Sequence, residues 1–60
     1  MNGLHDLSLK IGGSVKQGQR GSHLRIGNVR VYPRQDYKWD VWHKGSKIVL
    51  STCELKVWLS

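Results

Sequence analysis

Apolar and polar residues alternate along two stretches in the middle of the chain, and each stretch contains a turn signal. In "HLRIGNVRVY" (residues 23–32), the dipeptide Gly27-Asn28 belongs to the class found at two-residue hairpin turns. A turn there places four pairs opposite each other: Leu24 and Val31, Ile26 and Val29, Arg25 and Arg30, His23 and Tyr32. One face is then wholly apolar. On the other, two facing arginines are unfavourable unless solvent screens them or an anion lies over them.

The second alternating stretch is "YKWDVWHKGSKIVLS" (residues 37–51), with Lys44-Gly45 at its centre. This pattern predicts another hairpin, although lysine tolerates a positive φ poorly and makes a weaker turn signal than Asn-Gly. One face would carry Trp39, Val41, Ile48 and Leu50. The other face would carry Lys38, Asp40, Trp42 and Lys47.

Both ends of the chain can be interpreted as helix or as strand. Residues 3–11 have helical spacing at Leu4, Leu7 and Ile11 but also alternate from Leu7 to Ile11. The glycine pair at 12–13 is a natural helix stop and favours the helix.

Near the other end, Ser51 and Glu54 have the spacing of a capping box before an apolar run. We therefore predict a helix over residues 52–59. Its buried face would consist of Leu55, Trp58 and Leu59. If the segment were a strand, Leu55, Val57 and Leu59 would point inward instead.

The segment between the first helix and the first hairpin, residues 12–22, contains four glycines and reads as a flexible connection with one short strand around Val15. It fails as a nucleotide phosphate loop, because Gln19 stands where that motif requires lysine. Either Lys16, Arg20 and backbone amides grip a phosphate here, or the segment is a plain mobile loop.

These elements predict an α+β fold in which one or two short helices cover one face of an antiparallel sheet of three or four strands. We expect a single domain over residues 1–60, with residues 1–22 partly flexible. The uncovered face would mix basic and aromatic side chains.

Composition narrows the class of partner. The chain has 60 residues and a formal net charge of +6, which attracts polyanions such as nucleic acid or an acidic membrane surface. A single cysteine excludes an internal disulfide, which favours a reducing compartment. There is no apolar run of about 18 residues and no secretory signal pattern, so we expect a cytoplasmic protein without a membrane span.

Cations that follow phosphates and rings that stack on bases are typical of proteins that bind RNA or single strands. RNA or single-stranded nucleic acid is therefore the predicted partner. The predicted binding residues are Lys16, Arg20, Arg25, Arg30, Tyr32, Lys38, Trp42 and Lys47.

No motif predicts a metal or another cofactor. His5, His23, His43 and Cys53 are the only candidate zinc-binding side chains of these two residue types, and no pair has the short spacing of known zinc motifs. Cys53 has no adjacent base to activate it as a nucleophile, and a small buried apolar role suits it better.

The run "GGSVKQGQRGSHLRI…VRVYP" resembles the central part of HicA-type toxins, small double-stranded-RNA-binding-domain-like proteins of toxin–antitoxin pairs that cleave RNA. The resemblance covers residues 3–33. It implies a short helix, a basic strand over 14–20 and a Gly21-Ser22-His23 triplet that opens the next strand. It also implies that His23 is the catalytic residue of a metal-independent endoribonuclease, acting as a general acid or base while nearby cations hold the phosphate.

The chain departs from that family after Pro33, where Arg34 and Gln35 replace a second histidine-bearing segment and a tryptophan-rich hairpin follows. Nucleic-acid binding is therefore the broader prediction, and cleavage the narrower one. The alternative is a small interaction or inhibitor protein of phage or mobile-element type. Trp42, Trp58 and the arginines would then be anchors for a protein partner.

Overall fold

The computed structural model describes residues 3–60, which form a five-stranded antiparallel sheet with a short helix at each end of the chain. Every strand pairs with the next one along the chain, so spatial order equals sequence order. The elements are α1 (Leu4–Ile11), β1 (Ser14–Gly18), β2 (Gly21–Ile26), β3 (Val29–Pro33), β4 (Trp39–His43), β5 (Ser46–Leu50) and α2 (Thr52–Leu59). The predicted α+β class is confirmed.

Both hairpins form in the predicted register. Arg25 lies directly opposite Arg30 across the first hairpin. At the tip of the second, Lys44 and Gly45 have φ angles of +52° and +79°, and two successive positive φ values suit the right-handed twist of paired strands. The remaining confirmed pairs are Leu24 with Val31, Ile26 with Val29, Trp39 with Leu50 and Val41 with Ile48.

The two ambiguous ends are helices, as predicted. The helix α1 turns Leu7 into the core, with Leu4 and Ile11 packed beside it. At the start of α2, the Ser51 hydroxyl accepts from the backbone N–H of Glu54, and the Glu54 carboxylate accepts from the backbone N–H of Ser51. This reciprocal pair satisfies two N–H groups that a helix start would otherwise leave unbonded.

The core lies between the two helices and one face of the sheet. Trp39 is its largest member, and its indole Nε1 donates to the hydroxyl of Thr52 at 2.9 Å, which ties β4 to the first turn of α2. The buried apolar side chains are Leu7, Leu24, Val29, Val31, Trp39, Val41 and Leu55.

The sheet has more strands than the three or four predicted. The short strand expected around Val15, in a segment otherwise predicted to be a flexible connection, spans residues 14–18 as β1. β1 pairs with β2 along its whole length, and Val15 packs against the core. Gly13 makes this possible: a side chain there would meet Ile26 at 2.4 Å and the carbonyl of Arg25 at 2.8 Å. The glycine that looked like a loop residue instead lets β1 start close to β2.

Two predicted core positions lie partly in solvent. Ile48 faces the helices but is 38% exposed, because β5 is an edge strand. Trp58 is 39% exposed and stands edge-on against the ring of His43, with the ring centres 5.6 Å apart. Of the predicted helix face, Leu55 is fully buried and Leu59 packs against the core.

Candidate nucleic-acid interface

The face of the sheet turned away from the helices carries a row of side chains that runs straight across the strands. Arg30 lies opposite Arg25 on one side and Trp42 on the other, and Trp42 lies opposite Lys47. These residues are up to 22 positions apart in the chain, and only the strand register brings them together. The row places three cations and one indole on β2, β3, β4 and β5.

Trp42 is the aromatic centre of this row. The guanidinium of Arg20, from the β1–β2 turn, lies 5.4 Å from the ring centre, and the ammonium of Lys47 lies 5.9 Å from it. Both distances are within the range of a cation–π interaction. The indole is half-buried.

One of the two facing arginines is held by a hydrogen bond to the backbone. The Nε of Arg25 donates to the carbonyl oxygen of Gly27 at 3.2 Å, which draws its guanidinium toward the turn. Arg25 and Arg30 are both exposed, so solvent screens their repulsion in the free protein.

His23 occupies the next row, opposite Lys16. Its ring lies against Tyr32, with the ring centres 5.1 Å apart and the planes tilted by 33°. Gly18 leaves room for the imidazole, since a side chain there would come within 3.3 Å of the His23 ring. The histidine is therefore only 8% exposed, and its Nδ1 is buried without a hydrogen-bond partner among residues 3–60.

Two open depressions lie side by side on this face. One has a volume of ≈ 490 Å³ and is centred on Trp42, and the other has a volume of ≈ 570 Å³ and contains His23. They share Arg20, Arg30 and Tyr32, so they form one continuous surface, which we call the basic face. Its cations are Lys16, Arg20, Arg25, Arg30, Lys44 and, beside Trp42, Lys47.

No acidic side chain lines either depression within the described residues. Arg34 binds both acids of the neighbouring turn and strand: its Nη1 lies 2.7 Å from Asp40, and its Nε lies 3.1 Å from Asp36. The hydrogen bond from Arg34 lowers the pKa of Asp36 below its ordinary value. Glu54 is held in the capping box, and Asp6 lies in the first turn of α1. Among the described residues, the cations of the basic face are thus not paired with an acid, and Asp40, opposite Tyr32 on the same side of the sheet, is held by Arg34.

The structure brings together most of the residues predicted for the site, and it separates one of them. Lys38 precedes β4, lines neither depression, and lies near enough to Glu54 to contribute to the lowered pKa of that carboxyl group. Lys44 was not among the predicted residues, and it reaches the basic face from the tip of the second hairpin. The position of Lys44, in the predicted turn directly after the strand that carries Trp42, was the sequence feature that could have predicted its place in the site. Further lining residues that were not predicted are Gln17, Gly18, Gln19, Asn28, His43 and Gly45.

Within residues 3–60, no three side chains of His, Cys, Asp or Glu come together as a metal site would require. In the same part of the chain, neither helix has the length and apolar character needed to cross a membrane.

Comparison with known proteins found no match: no family model fits the sequence, and no curated protein or solved structure is significantly similar.

Proposed function

We propose that this protein binds nucleic acid on the basic face, with RNA or single strands preferred over duplex DNA. The observation that carries the proposal is the cross-strand row of Arg25, Arg30, Trp42 and Lys47 in a surface lined by no acid. Cations spaced along a groove follow a phosphate backbone, and an indole among them offers a stacking surface to a base.

A stacked base on Trp42 is the feature that distinguishes single strands from duplexes, because bases in a duplex are already stacked on each other. Arg20 and Lys47 flank the indole and would hold the phosphates on either side of such a base. Single strands and RNA loops therefore suit this surface better than a regular helix.

The test is fluorescence anisotropy with labelled single-stranded RNA, single-stranded DNA and both duplexes, at two salt concentrations. Trp42→Leu should weaken single-strand binding roughly 5- to 150-fold, since stacking on an aromatic contributes about 1–3 kcal/mol per base. Trp58→Leu is the control for loss of an indole on the helix side. Since Trp58 contacts the site only through the ring of His43, its effect on affinity should be much smaller than that of Trp42→Leu. Equal losses in both variants, or no binding by the parent at low salt, would overturn the proposal and favour an interaction or inhibitor protein.

RNA cleavage by His23 is the narrower form of this proposal. It is supported by the position of the imidazole in the same depression as Lys16, Arg20 and Arg25. Because Nδ1 of His23 is buried from solvent, Nε2 is the nitrogen that would exchange a proton with a 2′-hydroxyl.

Labelled RNA incubated without added metal at pH 6 to 8 tests this step. If the protein cleaves, His23→Ala should abolish cleavage while RNA affinity stays close to that of the parent, as the cations still hold the backbone. RNA that remains intact with the parent at every pH would leave binding as the whole function.

A further inference from the structure

The depression centred on Trp42 extends past the cross-strand row to one end of the sheet, and we call it the Trp42 depression. The β2–β3 turn and the β4–β5 turn both lie at that end, since β2 and β4 run in the same direction. Asn28 and Lys44, one from each turn, line the depression there. Neither belongs to the row, because Trp42 is in register with Arg30 on one side and Lys47 on the other.

The direction of a bound strand determines which group meets the edge of a base. Phosphates that follow the row cross the β-strands, so a base stacked on Trp42 would extend along β4, to one side of the row or the other. Arg20 reaches the indole from the β1–β2 turn, at the opposite end of the sheet, and its guanidinium lies 5.4 Å from the ring centre. The other side is open depression that ends at Lys44. The edge of the stacked base would therefore face Lys44.

The ammonium of Lys44 can donate hydrogen bonds but cannot accept them. It is exposed, and in the described part of the chain no acid lines the depression to neutralise it. Guanine presents two acceptors on one edge, N7 and O6, and uracil presents O4 as thymine does. Adenine and cytosine present an amino group, so that a donor would meet a donor. Polar groups left unpaired in this way make adenine and cytosine the poorer ligands.

The size of the Trp42 depression favours the larger of the two bases that carry a carbonyl acceptor at this edge. Its volume of ≈ 490 Å³ lies within the range of small-molecule sites, so a purine can enter. Base preference on an aromatic side chain depends partly on stacking strength, and the two rings of guanine cover more of an indole than the single ring of uracil. Guanine therefore suits both the stacking surface and the donor.

We propose that the Trp42 depression is a guanine site, in which the base stacks on the indole and the Lys44 ammonium donates to N7 and O6. This base preference rests on the proposed function of the basic face. Asn28 defines the competing outcome, because a side-chain amide pairs with N6 and N7 of adenine. A hydrogen bond from an ammonium is charge-assisted and therefore stronger than one from an amide, which favours guanine.

Fluorescence anisotropy with labelled oligocytidine RNAs that differ only in their central base tests the preference. We expect the RNA with a central guanine to bind about tenfold more tightly than the RNA with a central adenine, and uracil to lie between them. Hypoxanthine keeps N7 and O6 and should bind like guanine. 7-Deazaguanine lacks the N7 acceptor and should bind several-fold more weakly than guanine.

Two variants separate recognition of the base from general attraction of phosphate. Lys44→Asn removes the ammonium at a position with a φ of +52°, which asparagine adopts readily, so the hairpin should keep its fold. The ratio of guanine to adenine affinity should then fall from about tenfold to below about twofold. Lys16→Gln is the matched control. It removes a cation from the depression that contains His23, so both affinities should fall while their ratio stays the same.

A parent protein that binds all the RNAs equally, or that prefers adenine, overturns the guanine site and leaves the proposed function standing. The guanine site is also overturned if 7-deazaguanine binds like guanine, or if Lys44→Asn and Lys16→Gln change the ratio to the same extent. A parent that binds none of these RNAs at low salt would overturn the guanine site and the proposed function together.

Discussion

Single glycines determine how closely β1 can approach its neighbours. The absence of a side chain at Gly18 leaves room for the His23 ring. The absence of a side chain at Gly13 lets the backbone just before β1 lie directly against Ile26 of β2. At both positions the missing side chain has a steric reason, which differs from the flexibility that glycine usually provides in loops.

Gly12 and Gly13 allow this steric role to be measured apart from backbone strain. Both have positive φ, +87° and +92°, so alanine is strained at either position. Only at Gly13 would the new methyl group collide with β2, whereas the space at Gly12 is open. We therefore expect Gly13→Ala to lower the thermal midpoint more than Gly12→Ala. Equal midpoints would show that β1 is free to move aside.

Trp39 combines the largest buried side chain with a hydrogen bond to α2. Trp39→Ala should lower the free energy of unfolding by about 3–5 kcal/mol, the usual range for removing a buried large aromatic. Small domains have only several kcal/mol in total, so the variant should be largely unfolded at room temperature.

Urea denaturation followed by circular dichroism measures this loss. Val57→Ala, at a side chain that is 74% exposed, is the control and should unfold like the parent. A Trp39→Ala protein with the parental midpoint would contradict the packing of the second hairpin against α2.

At the scale of elements, α2 depends on its capping box as much as on its buried leucine. The helix has eight residues, which is too short to be stable by itself in water. Its start is held by the two hydrogen bonds between Ser51 and Glu54, and its first turn is held by Thr52 against Trp39.

The capping box makes part of the stability depend on pH. The hydrogen bond from the backbone N–H of Ser51 lowers the pKa of Glu54 from its ordinary value of 4.5. A carboxyl group whose pKa is lower in the folded protein than in the unfolded chain stabilises the fold at pH values above its unfolded pKa. That contribution is lost as the pH falls through its folded pKa.

We therefore expect a loss of stability below pH 4.5 that is smaller in Glu54→Gln, since glutamine keeps the capping hydrogen bond but does not titrate. Thermal midpoints of parent and variant between pH 7 and pH 3 measure the difference. Asp36 contributes its own pH dependence to both proteins, so only the gap between the two curves belongs to Glu54. Parallel curves would contradict a role for the charged form.

At the scale of the whole molecule, the acidic side chains are kept out of the two depressions of the basic face. Asp40 lies on the same side of the sheet, opposite Tyr32, but is paired with Arg34, as is Asp36, and the other two acids lie in the first turns of the helices. Such a distribution produces a directional field, which steers polyanions to one side of the molecule.

Salt dependence should therefore separate the basic face from the net charge. Each phosphate contact on a single strand contributes about −0.7 to the slope of log K against log salt. Replacing Arg25 and Arg30 with glutamine should make that slope less negative by the contribution of one to two phosphate contacts. Lys10→Gln with Lys56→Gln removes the same charge from the helix side and should leave the slope close to that of the parent.

The free Arg25/Arg30 variant should be no less stable than the parent, because a repelling pair has been removed. Anisotropy titrations at several salt concentrations, with a thermal melt of each variant, provide both readouts. A slope equally flattened in the two double variants would mean that binding senses only the overall charge of +6.

Local patterns in the sequence were sufficient for the two hairpins and for α2. Strict alternation around Gly27-Asn28 and around Lys44-Gly45 determines both registers, because a slip by one residue would turn every apolar side chain into solvent. The spacing of Ser51 and Glu54 determines where α2 starts, because that hydrogen-bond pair forms within four residues. Arg25 opposite Arg30, and Trp42 opposite Lys47, follow from the same local rules.

Tertiary structure decided what depends on neighbours that are distant in the chain. The sequence indicated a short strand around Val15, but the full length of β1 and its place at the edge of the sheet depend on how Gly13 and Val15 fit against β2 and the core. The path of the chain around Arg34 leaves Lys38 beside Glu54, and the end of the sheet at β5 leaves Ile48 and Val49 exposed. Alternation predicts the side of a sheet on which a residue lies. How deeply that residue is buried, and which side chains it contacts, depend on the strands that lie beside its own strand.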